Sequence, residues 1–222
     1  MILDSEQIVR LYRRLAPFYD PMVVPLEWLG ARRHRERAVR GLGLRPGGVA
    51  LDLGCGTGLN IPLLHEAVGS GGRIVCVDLS AAMLSRAQRR VERHGFANVE
   101  LVEADLATYR APPGIDGGLA TFALEMVPEY DEVVGRIARA LSDEGRVAVY
   151  GLKHPESWPT WLIELGIWVT APFGVSREYE SLRPYEAVRG HLSEIEYREF
   201  LFEAAYLCVG ERAATKHPDN HP

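Results

Sequence analysis

The chain has 222 residues, 47% of them apolar and 25% charged, enough to bury one full core and too apolar to remain unfolded. A net charge of −5 argues against nonspecific nucleic-acid binding, although residues 1–50 carry nine arginines against five acids. Three scattered cysteines, Cys55, Cys76 and Cys208, fit reduced thiols and show neither a disulfide framework nor a zinc-ligand spacing. Asp4 and Glu6 stand where a signal peptide needs neither, and Glu164 and Pro172 interrupt the longest apolar run, Trp161 to Val175. A soluble, cytoplasmic protein without a metal is expected.

In chain order, Ile8, Leu11, Tyr12, Leu15 and Phe18 recur three and four residues apart, which predicts a helix over Asp4–Phe18 that loosens at Pro17. A second helix is predicted over Leu26–Leu42, closed by Gly43 and Pro46. Val49–Leu53 reads as a short buried strand. Helix and strand then alternate: helix Leu59–Ala67, strand Arg73–Val77, helix Ala81–His94, strand Val99–Glu103, strand Gly118–Leu124, helix Tyr130–Leu141 and strand Arg146–Gly151. Such alternation implies parallel strands joined by right-handed crossovers, hence a doubly wound sheet. Ser193–Phe200 and Ala204–Val209 lie close enough to form a hairpin and add an antiparallel edge. The polar tail Lys216–Pro222 is expected to fray.

The most informative segment is Leu51-Asp-Leu-Gly-Cys-Gly-Thr-Gly58, a buried strand running into a turn of Gly54, Gly56 and Gly58 and then a helix. Glycines let the backbone approach a ligand and take positive φ. The Gly-x-Gly-x-Gly spacing differs from the dinucleotide fingerprint, whose third glycine would stand at Leu59, so an NAD-linked dehydrogenase is disfavoured. Asp52 would repel a phosphate but suit a cationic amine. Asp78, twenty residues after Gly58 at a strand end, can accept both hydroxyls of a ribose. Asp105, after the next strand, is placed to accept the exocyclic amine of adenine. The alternative for both acids is that they begin the following helices.

With these motifs the chain resembles the class I S-adenosylmethionine-dependent methyltransferases over roughly residues 45–152, through LDLGCGTG, VDLS, EADL and TFALEMVPE. The resemblance implies a Rossmann-like α/β fold, doubly wound, with a mostly parallel seven-stranded sheet and an antiparallel C-terminal edge strand. It implies S-adenosylmethionine as cofactor and S-adenosylhomocysteine as product. Gly54, Gly56, Thr57 and Gly58 would line its methionine half with Asp52 and Asn60 nearby, and Asp78 would hold the ribose. Leu79 and Met83 would sandwich adenine, Asp105 and Leu106 would meet its edge, and Phe122 would pass beneath the sulfonium. On this reading residues 1–222 form one domain. An N-terminal helical lid (1–44) is followed by the cofactor core (45–152), an acceptor-side insertion (153–192), a terminal hairpin (193–211) and a flexible tail (212–222).

The opening Tyr12-Arg-Arg-Leu-Ala-Pro-Phe-Tyr19-Asp20 is similar to that of the ubiquinone/menaquinone C-methyltransferases and the bacterial phosphatidylethanolamine N-methyltransferases. Tyr12 and Tyr19 are therefore lid candidates, against the plainer reading of helix packing onto the core. Trp158, Trp161 and Trp168 fall in an apolar insertion that could wall the acceptor pocket or, with the arginine-rich helix Arg32–Arg40, face an anionic bilayer. Methyl transfer needs alignment, exclusion of water and at most a proton acceptor, for which Tyr19, Glu125, Tyr150 and His154 are candidates. The acceptor expected first is a phospholipid amino headgroup, and second a prenylated quinone or other small molecule. The protein would then sit in the cytoplasm or on the inner membrane face, with no nucleic-acid partner. The rival is a noncatalytic S-adenosylmethionine-binding module whose pocket is plugged by the tryptophan-rich insertion.

Overall fold

The structure, a computed structural model, describes residues 4–153, 155, 157–174 and 182–213. Helix α1 (Ser5–Leu15) starts at Asp4, whose carboxylate accepts from the Gln7 amide while the Gln7 side chain accepts from the Asp4 amide in a reciprocal cap. It ends at Pro17, which has no N–H to donate to another turn, although Ala16 itself keeps helical dihedrals and donates to Tyr12. The helix predicted over Leu26–Leu42 is kinked in its first turns, and a further helix that the sequence reading did not predict precedes it. Helix α2 (Tyr19–Leu26) and helix α3 (Arg32–Gly41) meet at a kinked π-type stretch, Glu27–Ala31, where Gly30 takes φ +119. Pro21 and Pro25 hide α2 from a sequence reading, yet a proline is tolerated in a first turn and Pro25 stands one residue from the end.

The alternating units are strand β1 (Val49–Leu53), helix α4 (Ile61–Val68), strand β2 (Arg73–Asp78), helix α5 (Ala81–His94) and strand β3 (Val99–Glu103). Strand β4 (Ile115–Thr121), helix α6 (Tyr130–Ala140), strand β5 (Leu141–Leu152), helix α7 (Thr160–Thr170), helix α8 (Pro184–His191), strand β6 (Ser193–Phe200) and strand β7 (Ala205–Glu211) follow. The seven-stranded sheet has the order β3-β2-β1-β4-β5-β7-β6. Strands β1 to β5 pair in parallel, whereas β7 runs antiparallel to both β5 and β6, so the predicted hairpin folds back with its second strand inside. Ala38, Leu64 and Ala87 from α3, α4 and α5 bury one face of the sheet; Val134 and Ile137 of α6 and Val188 of α8 bury the other.

Strand boundaries shift: β5 begins at Leu141 rather than Arg146. β4 spans 115–121 rather than 118–124, because Phe122 adopts φ +54 and takes Phe122-Ala-Leu out of the sheet despite its apolar character. Helix α8, inside the segment expected to wall the acceptor pocket, has Pro184 at its first turn and packs on α6 and β7. No helix among the described residues is long and apolar enough to cross a membrane. Of the expected tail, 214–222 lie outside the described residues, whereas the Arg212 amide donates to the Gly145 carbonyl.

Candidate active site

β1 and β4 are neighbours whose chains leave in opposite directions, and this switch point opens a crevice at the strand carboxyl ends, where open α/β sheets bind ligands. A cleft of about 320 Å³ lies there. Tyr12, Tyr19, Gly54, Gly56, Asp78, Leu79, Met83, Asp105, Leu106 and Phe122 all line it. Asp52, Thr57, Gly58 and Asn60 are buried behind the glycine turn, and Glu125 and Tyr150 are buried off the lining. His154 lies outside the described residues.

The turn itself requires glycine. Gly54 and Gly56 take φ +65 and +56, and a Cβ on Gly54 would overlap the Ala123 side chain. A Cβ on Gly56 would instead enter open space along the cleft, where a ligand needs bare backbone. The Gly56 amide donates to Asp78 Oδ2 at 2.7 Å and the Ser80 amide to Oδ1 at 2.9 Å. Burial raises the Asp78 carboxyl above its ordinary range, and these two amides oppose the rise. Each carboxylate oxygen keeps acceptor capacity for a hydroxyl. Behind the turn, Asn60 Nδ2 donates to both oxygens of the fully buried Asp52 and lies 3.0 Å from Thr121 Oγ1. Burial pushes the Asp52 carboxyl up to about 7.

The N-terminal segment covers this cleft. Asp4, Ser5, Ile8 and Tyr12 present one face of α1 to it, and Ser5 Oγ donates to Asp105 Oδ2 at 2.7 Å. Tyr19 lies 6.3 Å from Tyr12, ring to ring, and meets Phe173 edge-on at 5.8 Å, while the Tyr12 hydroxyl donates to the Phe173 carbonyl. Asp20 ties α2 down: it accepts from Thr57 Oγ1 at 2.5 Å and from Arg90 Nη2 at 2.8 Å. Burial raises the Tyr19 phenol, so it is a neutral donor near pH 7. The expectation of an arginine helix facing outward fails at Arg35, which is 6% exposed and bonded to Glu27, Asn60 and Thr121.

Glu125 follows β4 in a short 3₁₀ turn, Leu124–Met126. Its Oε1 accepts from Tyr206 at 3.1 Å, and a Cβ at Gly151 would overlap it. Its Oε2 is buried without a hydrogen-bond partner among the described residues, and burial pushes the carboxyl up to about 7. Tyr150, 1% exposed, is pushed up to about 12 by the same cause.

The family described as "methyltransferase domain" matches residues 50–145. A 2-phytyl-1,4-naphtoquinone methyltransferase of Thermosynechococcus vestitus is 32% identical over 184 residues, covering 80% of this chain and 81% of that protein. This chain belongs to the class I S-adenosylmethionine-dependent methyltransferases. A demethylmenaquinone methyltransferase of Bacillus velezensis is 26% identical to this methyltransferase, covering 68% of the chain and 66% of the relative. The geranyl diphosphate C-methyltransferase of Streptomyces coelicolor, solved with Mg²⁺, geranyl diphosphate and S-adenosylhomocysteine, shares the fold. It superposes with TM-score 0.65 at 16% identity, covering 82% of this chain and 79% of that one.

S-adenosylmethionine is the cofactor, and the methyltransferase cleft fits it on two observations: the open space above Gly56 and the spare acceptor sites on Asp78. The sequence reading missed Ser5, Ile8, Asp20, Arg35 and Thr121. Ile8 has a helical apolar spacing that does not distinguish a cleft-lining side chain from a core one. Arg35 does carry a signal, since it stands on the helical face of Ala38, Val39 and Leu42, where an arginine needs a reason.

Proposed function

We propose that this methyltransferase transfers a methyl group to a ring carbon of a prenylated hydroquinone. The observation that carries the reading is the 32% identical relative, whose named acceptor is a phytyl naphthoquinone. Neither relative named above acts on a phospholipid by its name, so the headgroup expected first gives way to the quinone alternative. The lining supports this choice: Tyr12, Tyr19, Phe122, Met126 and Val127 offer aromatic and apolar contact to a flat ring. The plugged-module rival finds no support in α7, because Trp161 and Trp168 are 67% and 74% exposed rather than buried in the cleft.

S-adenosylmethionine supplies a methyl group already activated on a sulfonium, so the chain's task is to bind, align and exclude water. We assign Asp78 to the ribose, Leu79 and Met83 to the adenine faces, and Asp105 with Leu106 to the adenine edge. Gly54 and Gly56 border the methionine end and Phe122 lies below the sulfonium. Tyr12 and Tyr19 close the lid, held by Asp20 on Thr57 and Arg90. Asp52, Asn60, Thr57 and Gly58 brace the turn from behind. Tyr19 serves as a hydrogen-bond donor to an acceptor oxygen. Glu125, facing Tyr206 and Gly151, acts as a strut between β4, β5 and β7 and not as the proton acceptor.

The amphiphilic acceptor also gives a role to the exposed side of α7. Trp161, Leu165, Trp168 and Val169 form one helical stripe open to solvent, and α7 runs into Phe173 at the lid. This stripe would rest in a bilayer interface and bring the lid to the membrane where a prenylated ring resides. Incubation with labelled cofactor and either a demethylnaphthohydroquinone or phosphatidylethanolamine tests the acceptor. A mass gain of one methyl on the ring supports the proposal; methylation of the phospholipid alone refutes it.

A further inference from the structure

Helix α1 is thinly anchored for an element that covers the cleft. None of its residues is buried, and it packs on α5 and on the turn at Phe173. Ser5, Ile8 and Tyr12 stand three and four residues apart, on one helical face, and all three line the cleft. A hydrogen bond ties this face down toward each end. The Tyr12 hydroxyl donates to the Phe173 carbonyl at 3.2 Å, and Ser5 Oγ donates to Asp105 Oδ2 at 2.7 Å. The two anchors lie about 10 Å apart along the helix axis, a separation of two turns. The reciprocal cap between Asp4 and Gln7 makes Ser5 the first helical residue and so fixes where its hydroxyl is carried.

Asp105 is held from two sides. Its Oδ2 accepts from Ser5, and its Oδ1 accepts from the Ala107 amide at 2.8 Å. A carboxylate has about four acceptor positions, so about two stay open to a ligand donor. Asp105, Leu106 and Ala107 line the cleft together with Ser5. Ser5 and a ligand amine can therefore share this carboxylate, and neither has to displace the other. The Ser5–Asp105 bond is exposed, and such a bond contributes little net stability alone. A ligand that also buries Ile8 adds the apolar contact that this face of α1 lacks.

We propose that Ser5 is a positioning residue that couples closure of α1 to recognition of the adenine base. Its hydroxyl holds the Asp105 carboxylate in the orientation that accepts the exocyclic amine, and the adenosine beneath Ile8 holds α1 shut. This rests on the assignment of Asp105 to the adenine edge. A coupling free energy between two contacts acts equally in both directions. The bound base therefore strengthens the hold on α1 by the same factor as the docked helix strengthens the hold on the base. At the other end of α1, Tyr12 meets Tyr19 and Phe173 of the protein itself, so Ser5 is the end that senses the cofactor. The helix then shuts over a loaded cleft and keeps water from it.

The test uses the full chain, S-adenosylhomocysteine, S-inosylhomocysteine, and the variants Ser5→Ala and Ser5→Thr. Alanine is the better helix former, so the alanine variant keeps α1 and loses the hydroxyl. It is expected to bind S-adenosylhomocysteine about three- to tenfold more weakly by calorimetry, the loss of one hydrogen bond. Trypsin reports on α1 directly through the exposed Arg10, Arg13 and Arg14. S-adenosylhomocysteine should slow cleavage there about fivefold or more in the wild type and less than about twofold in the alanine variant. Threonine keeps the hydroxyl and should return both quantities to within about twofold of wild type. An alanine variant with unchanged affinity or unchanged protection overturns the proposal, as does a threonine variant no better than alanine. Tighter binding by the alanine variant also overturns it, because Ser5 would then compete with the base. The Asp105 assignment is judged apart, with S-inosylhomocysteine, which carries a carbonyl in place of the amine. A wild-type chain that binds both nucleosides equally removes Asp105 from the adenine edge, and the coupling falls with it. Discrimination by the wild type beside an unresponsive alanine variant overturns the coupling alone.

Discussion

Replacing Glu125 with glutamine isolates the energetic consequence of a carboxyl buried without a full set of partners. Glutamine keeps the shape and the oxygen that accepts from Tyr206, and removes the charge. The folded carboxyl titrates at about 7 against an ordinary 4.5. The folded chain therefore holds a proton that the unfolded chain has released between those values, and stability falls as pH rises through that window. At about 1.36 kcal/mol per unit the full loss is roughly 3 kcal/mol, complete somewhat above pH 7. Urea denaturation at pH 5 and pH 8 should show the glutamine variant gaining roughly 2–3 kcal/mol on the wild type between the two conditions. Asp52, raised in the same direction, contributes to both proteins and drops out of the difference. A difference that stays the same at both pH values, within about 0.5 kcal/mol, refutes the reasoning, for it would mean that Glu125 is as well solvated folded as unfolded.

Asp78→Ala should weaken S-adenosylmethionine binding by roughly 1–3 kcal/mol through lost charge-assisted hydrogen bonds, and unchanged affinity by calorimetry would remove Asp78 from the ribose. Asp20→Ala removes the acceptor of Thr57 Oγ1 and Arg90 Nη2 and unlatches α2; protease cleavage within residues 16–31 should become faster while the core melts as before. Gly56→Ala meets no clash yet must hold φ +56, so it should lower cofactor affinity and cost about 1–2 kcal/mol of stability, read by titration and by urea. The double change Trp161→Ser and Trp168→Ser should abolish co-sedimentation with anionic vesicles and leave turnover of a water-soluble hydroquinone intact; retained sedimentation places the membrane contact elsewhere.

Periodicity, strand–helix alternation and glycine spacing were sufficient to specify the doubly wound sheet and the turn after β1, because these depend on local backbone preference and on which faces must be buried. Asp78, Met83 and Asp105 were legible for the same reason: each follows a strand whose end the topology sends to one crevice. Arg35, Asp20 and Glu125 were not, or not in their roles, since their meaning comes from partners 86, 70 and 81 positions away in Thr121, Arg90 and Tyr206. The break at Gly30 and the departure of Phe122 from β4 likewise depend on positive φ values that packing imposes and composition does not announce. Where a charge is buried, whether it has a partner, and therefore how it titrates or binds, are set by contacts that exist only after the distant segments have met.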